Sequence, residues 1–184
     1  MNPLKPSSIV SLLALAGLTA LPAQAKVYSA IPGESSIAYH MVHKMHEFTG
    51  VSRNFKCVVD LAADSSKSRV YVKAAVAEFN SGNSSRDGNM VEVAEAAKYP
   101  NVEFMSDSVR REGDDWRVYG KLAFHGVTKP INFNVKPENA DGKVRIKGAF
   151  KVSLTEFKIK RPSLLMIPVD DDMDIWIDVV SKVP

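Results

Sequence analysis

From Trp116 to Val135 apolar and polar residues alternate almost without a break. Trp116, Val118, Gly120, Leu122 and Phe124 fall on one side, and Arg117, Tyr119, Lys121 and His125 on the other. After Gly126-Val127-Thr128-Lys129-Pro130 the pattern resumes, with Ile131, Phe133 and Val135 against Asn132, Asn134 and Lys136. Successive side chains of a strand point to opposite faces, so this reads as a hairpin with one apolar face. A sheet that carries a long apolar face must bury it, and closing into a barrel does so.

The same period recurs along the chain: Ile37, Tyr39 and Met41; Phe55, Cys57, Val59 and Leu61; Val70, Val72, Ala74 and Val76; Val102 and Phe104; and Ile175, Ile177 and Val179. The cleanest run is Val144, Ile146, Gly148, Phe150, Val152 and Leu154. Turn signals separate the runs, among them Gly113-Asp114-Asp115 and Asn139-Ala140-Asp141-Gly142. The fold class is therefore all-β, an antiparallel barrel of about eight strands with one short α-helix. That helix is capped by Ser84-Ser85, carries Met90, Val91, Val93, Ala94 and Ala97 at helical spacing, and ends before Pro100.

The N-terminus reads as a targeting segment. Lys5 is the one charge in residues 1–25, Ile9 to Leu21 form an apolar run, and Ala23-Gln24-Ala25 supplies the small residues of a signal peptidase site. The run falls short of the roughly 20 residues that span a bilayer. Cleavage after Ala25 leaves residues 26–184 as one domain large enough for its own core. Without Lys5 the balance is 23 Lys and Arg against 21 Asp and Glu, which argues against electrostatic nucleic-acid binding. Cys57 is the only cysteine, so export provides it with no disulfide partner within the chain; it reads as a small core residue.

The inward set is apolar, with Tyr39 its main polar member. Gly120 and Gly148 interrupt it among large neighbours, although a mid-strand glycine costs about 0.5–1 kcal/mol and packs nothing. Either they keep volume open for a long apolar ligand, or they bend a solid core. Two further stretches are distinctive together. Asn80-Ser81-Gly82-Asn83-Ser84-Ser85-Arg86-Asp87 with Lys98-Tyr99-Pro100-Asn101-Val102-Glu103-Phe104-Met105-Ser106 resembles the arginine-aspartate helix and Y-P-x-x-x-F-x-S strand of the YceI-like family. Gly120 to Pro130 resembles its G-x-L-x-x-H-G-V-T-K-P hairpin, and the resemblance extends from Tyr28 to about Val180. It implies a lipocalin-like barrel, exported to the periplasm, that holds a polyisoprenoid or isoprenoid quinone type of lipid and needs no other cofactor. It also places His43 at the barrel wall. The expected lumen is then Tyr39, Met41, His43, Phe55, Val72, Phe104, Trp116, Val118, Gly120, Leu122, Phe133, Gly148, Phe150 and Val152.

Two rival readings stay open: a metal-dependent enzyme or sensor built on His40, His43 and His46, and a ligand-free structural or interaction barrel. In a strand, positions three apart face opposite ways, so His40 and His43 cannot share a metal there. No catalytic residue is assigned, because His125 lacks an evident nucleophile and no G-x-S-x-G, H-E-x-x-H or phosphate-loop motif occurs. Arg86 and Asp87 read as a capping and salt-bridge pair. Asp170-Asp171-Asp172 lacks the glycine and glutamate of a calcium loop and reads as a solvated turn. The irregular stretch from Lys158 to Pro168, with four consecutive apolar residues from Leu164 to Ile167 between its prolines, is a candidate core cover, lid, or transient contact with a membrane or acceptor protein. Monomer and dimer are both compatible with the sequence.

Overall fold

The alternating segments form strands. The computed structural model describes residues 26–182, and the expected leader, residues 1–25, lies outside the described residues. The elements are β1 (Lys26–Ser29), β2 (Ser36–His43), β3 (His46–Ser52), β4 (Phe55–Leu61), β5 (Arg69–Ala75), α1 (Ser84–Val93), β6 (Asn101–Glu112) and β7 (Asp115–Phe124). They continue with β8 (Val127–Ala140), β9 (Lys143–Ser153), β10 (Ser163–Leu164), β11 (Ile167–Pro168) and β12 (Asp172–Lys182). Ten strands make one antiparallel sheet, ordered β1-β4-β5-β6-β7-β8-β9-β12-β2-β3, and β10 pairs with β11 alone.

The sheet curls, and both its edges are tied. Ala30 bridges Ser181, and the Ile31 N–H donates to the Val180 carbonyl at 2.8 Å. On the other edge Val51 and Asn80 exchange two backbone bonds of 2.9 and 3.0 Å. Each tie is a single bridge, at Ala30 on one edge and at Val51 on the other. The expected count of about eight strands falls short by β1, β3 and the β10–β11 pair. β1 is only four residues long. β3 escapes the period-two reading because its inward positions are His46, Phe48, Gly50 and Ser52, of which only Phe48 is a large apolar residue.

Turn chemistry sets the registers. The β7–β8 turn is His125-Gly126 alone, with φ of 49° and 72°. The strand therefore resumes at Val127, earlier than the sequence pattern suggested. Asp141-Gly142 makes the β8–β9 turn with φ of 53° and 71°. Both have the positive φ pair that matches hairpin twist, and glycine takes the second position without strain.

The helix differs in its ends. Asn83, not the serine pair, is its cap: the Asn83 side chain accepts from the Arg86 N–H at 3.0 Å. The helix stops at Val93, short of Ala97, and Glu95 takes a positive φ of 47°. Ala94 and Ala96 pack with Val76 against Met90, Val102 and Phe124, which fixes α1 over one end of the sheet. Among the described residues no helix is long and apolar enough to cross a membrane.

Candidate functional site

The inside of the sheet is hollow. Inward side chains line a cavity of about 1030 Å³, at the top of the roughly 300–1,000 Å³ range of small-molecule sites. Alternation along the strands brings Tyr39, Met41, His43, Phe55, Val72, Phe104, Trp116, Val118, Leu122, Phe133, Phe150 and Val152 onto its wall. Aromatic rings pack along it: Phe133 lies 5.4 Å from Phe104 and stacks on Phe150 at 4.7 Å between centroids. The solid-core reading is therefore set aside.

Gly120 and Gly148 do not line this space, which corrects the idea that they hold it open. A β-carbon at 120 would stand 2.4 Å from the Met105 carbonyl oxygen and 2.6 Å from the Phe104 ring. At 148 it would meet Val135 Cγ1 at 2.9 Å and the Asn134 carbonyl oxygen at 3.1 Å. Neighbours already occupy the volume, so these glycines permit close approach across the sheet. Neither takes a positive φ.

Polar groups gather at the ends. Near α1 the wall includes Asn83, Ser85, Arg86 and Asn89; at the far end it includes Arg111, Asp114, Lys136 and Asn139. The α1 group lies outside the inward strand positions that alternation picks out; the polar run from Asn80 to Asp87 is its one signal in the sequence. Arg86 and Asp87 do not bridge each other as expected. Arg86 donates to the Ser81 hydroxyl at 2.8 Å and the Ser81 carbonyl at 3.0 Å, while Asp87 accepts from the Ser81 N–H at 3.0 Å and hydroxyl at 2.5 Å. The Arg86 guanidinium also sits 4.7 Å over the Phe48 ring.

Beside them is an unmet polar group. The buried Tyr39 hydroxyl has no hydrogen-bond partner among the described residues. Burial pushes its pKa up to about 12; Asp87 adds to the rise and Arg86 opposes it. The hydroxyl is thus a neutral donor on the cavity wall.

The three histidines separate as strand geometry requires. His40 faces outward, stacked on Trp176 at 5.2 Å and bonded to Thr49 at 3.0 Å. His43 faces inward opposite His46, their rings 5.3 Å apart. The Met45 N–H donates to His43 Nδ1 at 3.2 Å, so Nε2 carries the proton it gives to the Ile167 carbonyl at 2.9 Å. That leaves His43 no free lone pair for a metal. Among the described residues no three His, Cys, Asp or Glu side chains gather at metal-binding distance.

The family model described as the YceI-like domain matches residues 28–181. The chain belongs to the YceI-like family. Protein YceI of Escherichia coli is 29% identical over 119 residues, which is 60% of this chain. The chain spans about 61% of the length of that curated relative. The solved structure of BcnA from Burkholderia cenocepacia aligns with a TM-score of 0.76 at 17% identity, over 82% of this chain and 98% of BcnA. A polyisoprenoid binding domain from Saccharophagus degradans aligns at 0.68 with 14% identity, over 85% and 98%. At these identities the structures speak for the fold.

In this YceI-like chain the family hairpin is β7–β8, and its histidine serves the turn. His125 Nδ1 is 3.0 Å from the Phe157 carbonyl, and its ring packs edge-on to Tyr99 at 5.0 Å. Its Nε2 lies 3.3 Å from a Glu95 carboxylate oxygen without the alignment of a hydrogen bond. Among the described residues no serine, threonine or cysteine side chain hydrogen-bonds to His125 or Glu95. Cys57 is buried on the cavity wall, where desolvation pushes its thiol up to about 12. Asp171 is more than a solvated turn residue: it accepts from the Ser153 hydroxyl at 2.5 Å and from the Thr155 N–H and hydroxyl at 2.9 Å each.

Proposed function

We propose that this protein is an exported, non-enzymatic carrier that shelters a long apolar lipid of the polyisoprenoid or isoprenoid quinone type. The cavity carries the reading: about 1030 Å³ of apolar, aromatic-rich space with polar residues only towards its ends. An apolar chain that leaves water gains about 0.8 kcal/mol per buried methylene, so a few isoprene units account for tight retention. The solved relative named for polyisoprenoid binding supports the choice of ligand. Residues 1–25 supply the export signal and the mature protein acts in the periplasm.

The polar end near α1 selects the head group. The unpartnered Tyr39 hydroxyl asks for an acceptor, and Arg86 on the same wall is cationic. A carbonyl or phosphate oxygen meets both demands, and an unsubstituted hydrocarbon meets neither.

Trp116 on the cavity wall is a built-in reporter, and Trp176 outside is the background to remove. In a delipidated Trp176→Phe protein, titration with a polyprenyl phosphate or a prenylated quinone is expected to change Trp116 emission saturably, at one lipid per chain. A flat titration with both lipids overturns the proposal.

A further inference from the structure

The β10–β11 hairpin is the segment the cavity does not explain. Its turn residues, Leu165 and Met166, take φ of 51° and 67°. The two other turns with this paired geometry end in glycine, at Gly126 and Gly142. Here both positions hold large apolar side chains in the left-handed region, an unfavourable choice for the backbone. They also face water: Leu165 is 73% exposed and Met166 95%.

The tip is anchored to the cavity rim. His43 donates to the Ile167 carbonyl at 2.9 Å, and the Asp170 N–H donates to the Val42 carbonyl at 2.8 Å. Leu164 lines the cavity yet is 46% exposed, so the cavity reaches the surface beside this hairpin. Met45, in the β2–β3 turn it leans on, is 60% exposed. Exposed Lys44, Lys158 and Lys160 flank these turns in the chain, along with exposed Glu47 and Asp170.

The geometry points to a membrane-docking lip: Leu165 and Met166 enter the interfacial layer of a bilayer and set the cavity opening at Leu164 against the lipids. Four apolar side chains cannot provide the roughly 800 Å² per partner of a stable protein interface, whereas a few buried apolar residues with nearby lysines suffice at an anionic lipid surface. The carboxylates beside the lysines make apolar insertion the larger contribution. The purpose of the lip, lipid exchange, rests on the carrier reading; docking itself does not.

The test is co-sedimentation of the mature protein with phosphatidylethanolamine–phosphatidylglycerol vesicles. Wild type is expected to bind. Leu165→Asn with Met166→Gly, which installs the residues this turn favours, is expected to weaken binding by about a hundredfold, with Tm unchanged or raised and uptake of an apolar fluorophore intact. Lys158→Glu with Lys160→Glu is expected to weaken binding to these vesicles more than to phosphatidylcholine. Equal binding by wild type and the turn variant overturns the lip, as does absence of wild-type binding or capture of a protein partner in its place. Failure of delipidated wild type to take up the fluorophore overturns the carrier reading separately, since vesicle binding is scored without it.

Discussion

The Tyr39 ring fills the space over Gly50, its partner across the β2–β3 hairpin. A β-carbon at position 50 would stand 2.3 Å from ring Cε1 and 2.6 Å from the hydroxyl oxygen. Phe48 and Phe79 flank the ring at 6.3 and 5.7 Å, so the hydroxyl has a defined direction and, among the described residues, no partner.

Tyr39→Phe therefore has effects of opposite sign. Removal of an unpaired buried hydroxyl is expected to stabilise the lipid-free protein by about 1 kcal/mol and to weaken retention of a lipid with a polar head by about tenfold. Thermal unfolding of delipidated protein and lipid titration read the two effects. Lower stability with unchanged affinity would contradict the assigned role of the hydroxyl.

Gly120 and Gly148 separate by what surrounds them. Gly120→Ala drives a methyl into backbone at Met105 and Ser106, and is expected to destabilise by about 1–3 kcal/mol. Gly148→Ala meets mainly the Val135 methyl, and is expected to fall below about 1 kcal/mol. Urea unfolding of both variants checks the order.

The fold was legible wherever inward positions were large and apolar. The strands around Val118 and Phe150 announced themselves by alternation, and twelve of the fourteen collected positions line the cavity. β3 was hidden because small and polar residues occupy most of its inward side. The β10–β11 hairpin was hidden because Leu164-Leu165-Met166-Ile167 has no period at all. The glycines were misread for another reason. A missing side chain marks either empty or occupied space, and only the positions of Phe104, Met105 and Val135 decide which.

Cys57 is expected to resist alkylation. A thiol pushed up to about 12 by burial holds about a thousandfold less thiolate near neutral pH than an exposed cysteine. Iodoacetamide labelling should therefore be slow in the native protein and fast in denaturant. Rapid native labelling would show a wall more open to water than the structure has it.

Asp171 ties the end of β9 to the start of β12. The Ser153 hydroxyl, with help from Thr155, holds its carboxyl below the usual carboxylate range. A depressed carboxylate stabilises the fold fully above its unfolded value of about 3.9, and that contribution is lost as pH falls through the folded value. Asp171→Asn is expected to cost about 1–2 kcal/mol near neutral pH. The gap from wild type should close in acid, as followed by unfolding at a series of pH values.

Native mass spectrometry of the protein, purified without detergent, tests the carrier directly. One added lipid mass per chain is expected, released by organic extraction and absent from a Val118→Trp variant, whose larger side chain occupies the cavity. The bare polypeptide mass, unchanged after incubation with a polyprenyl lipid, would contradict it.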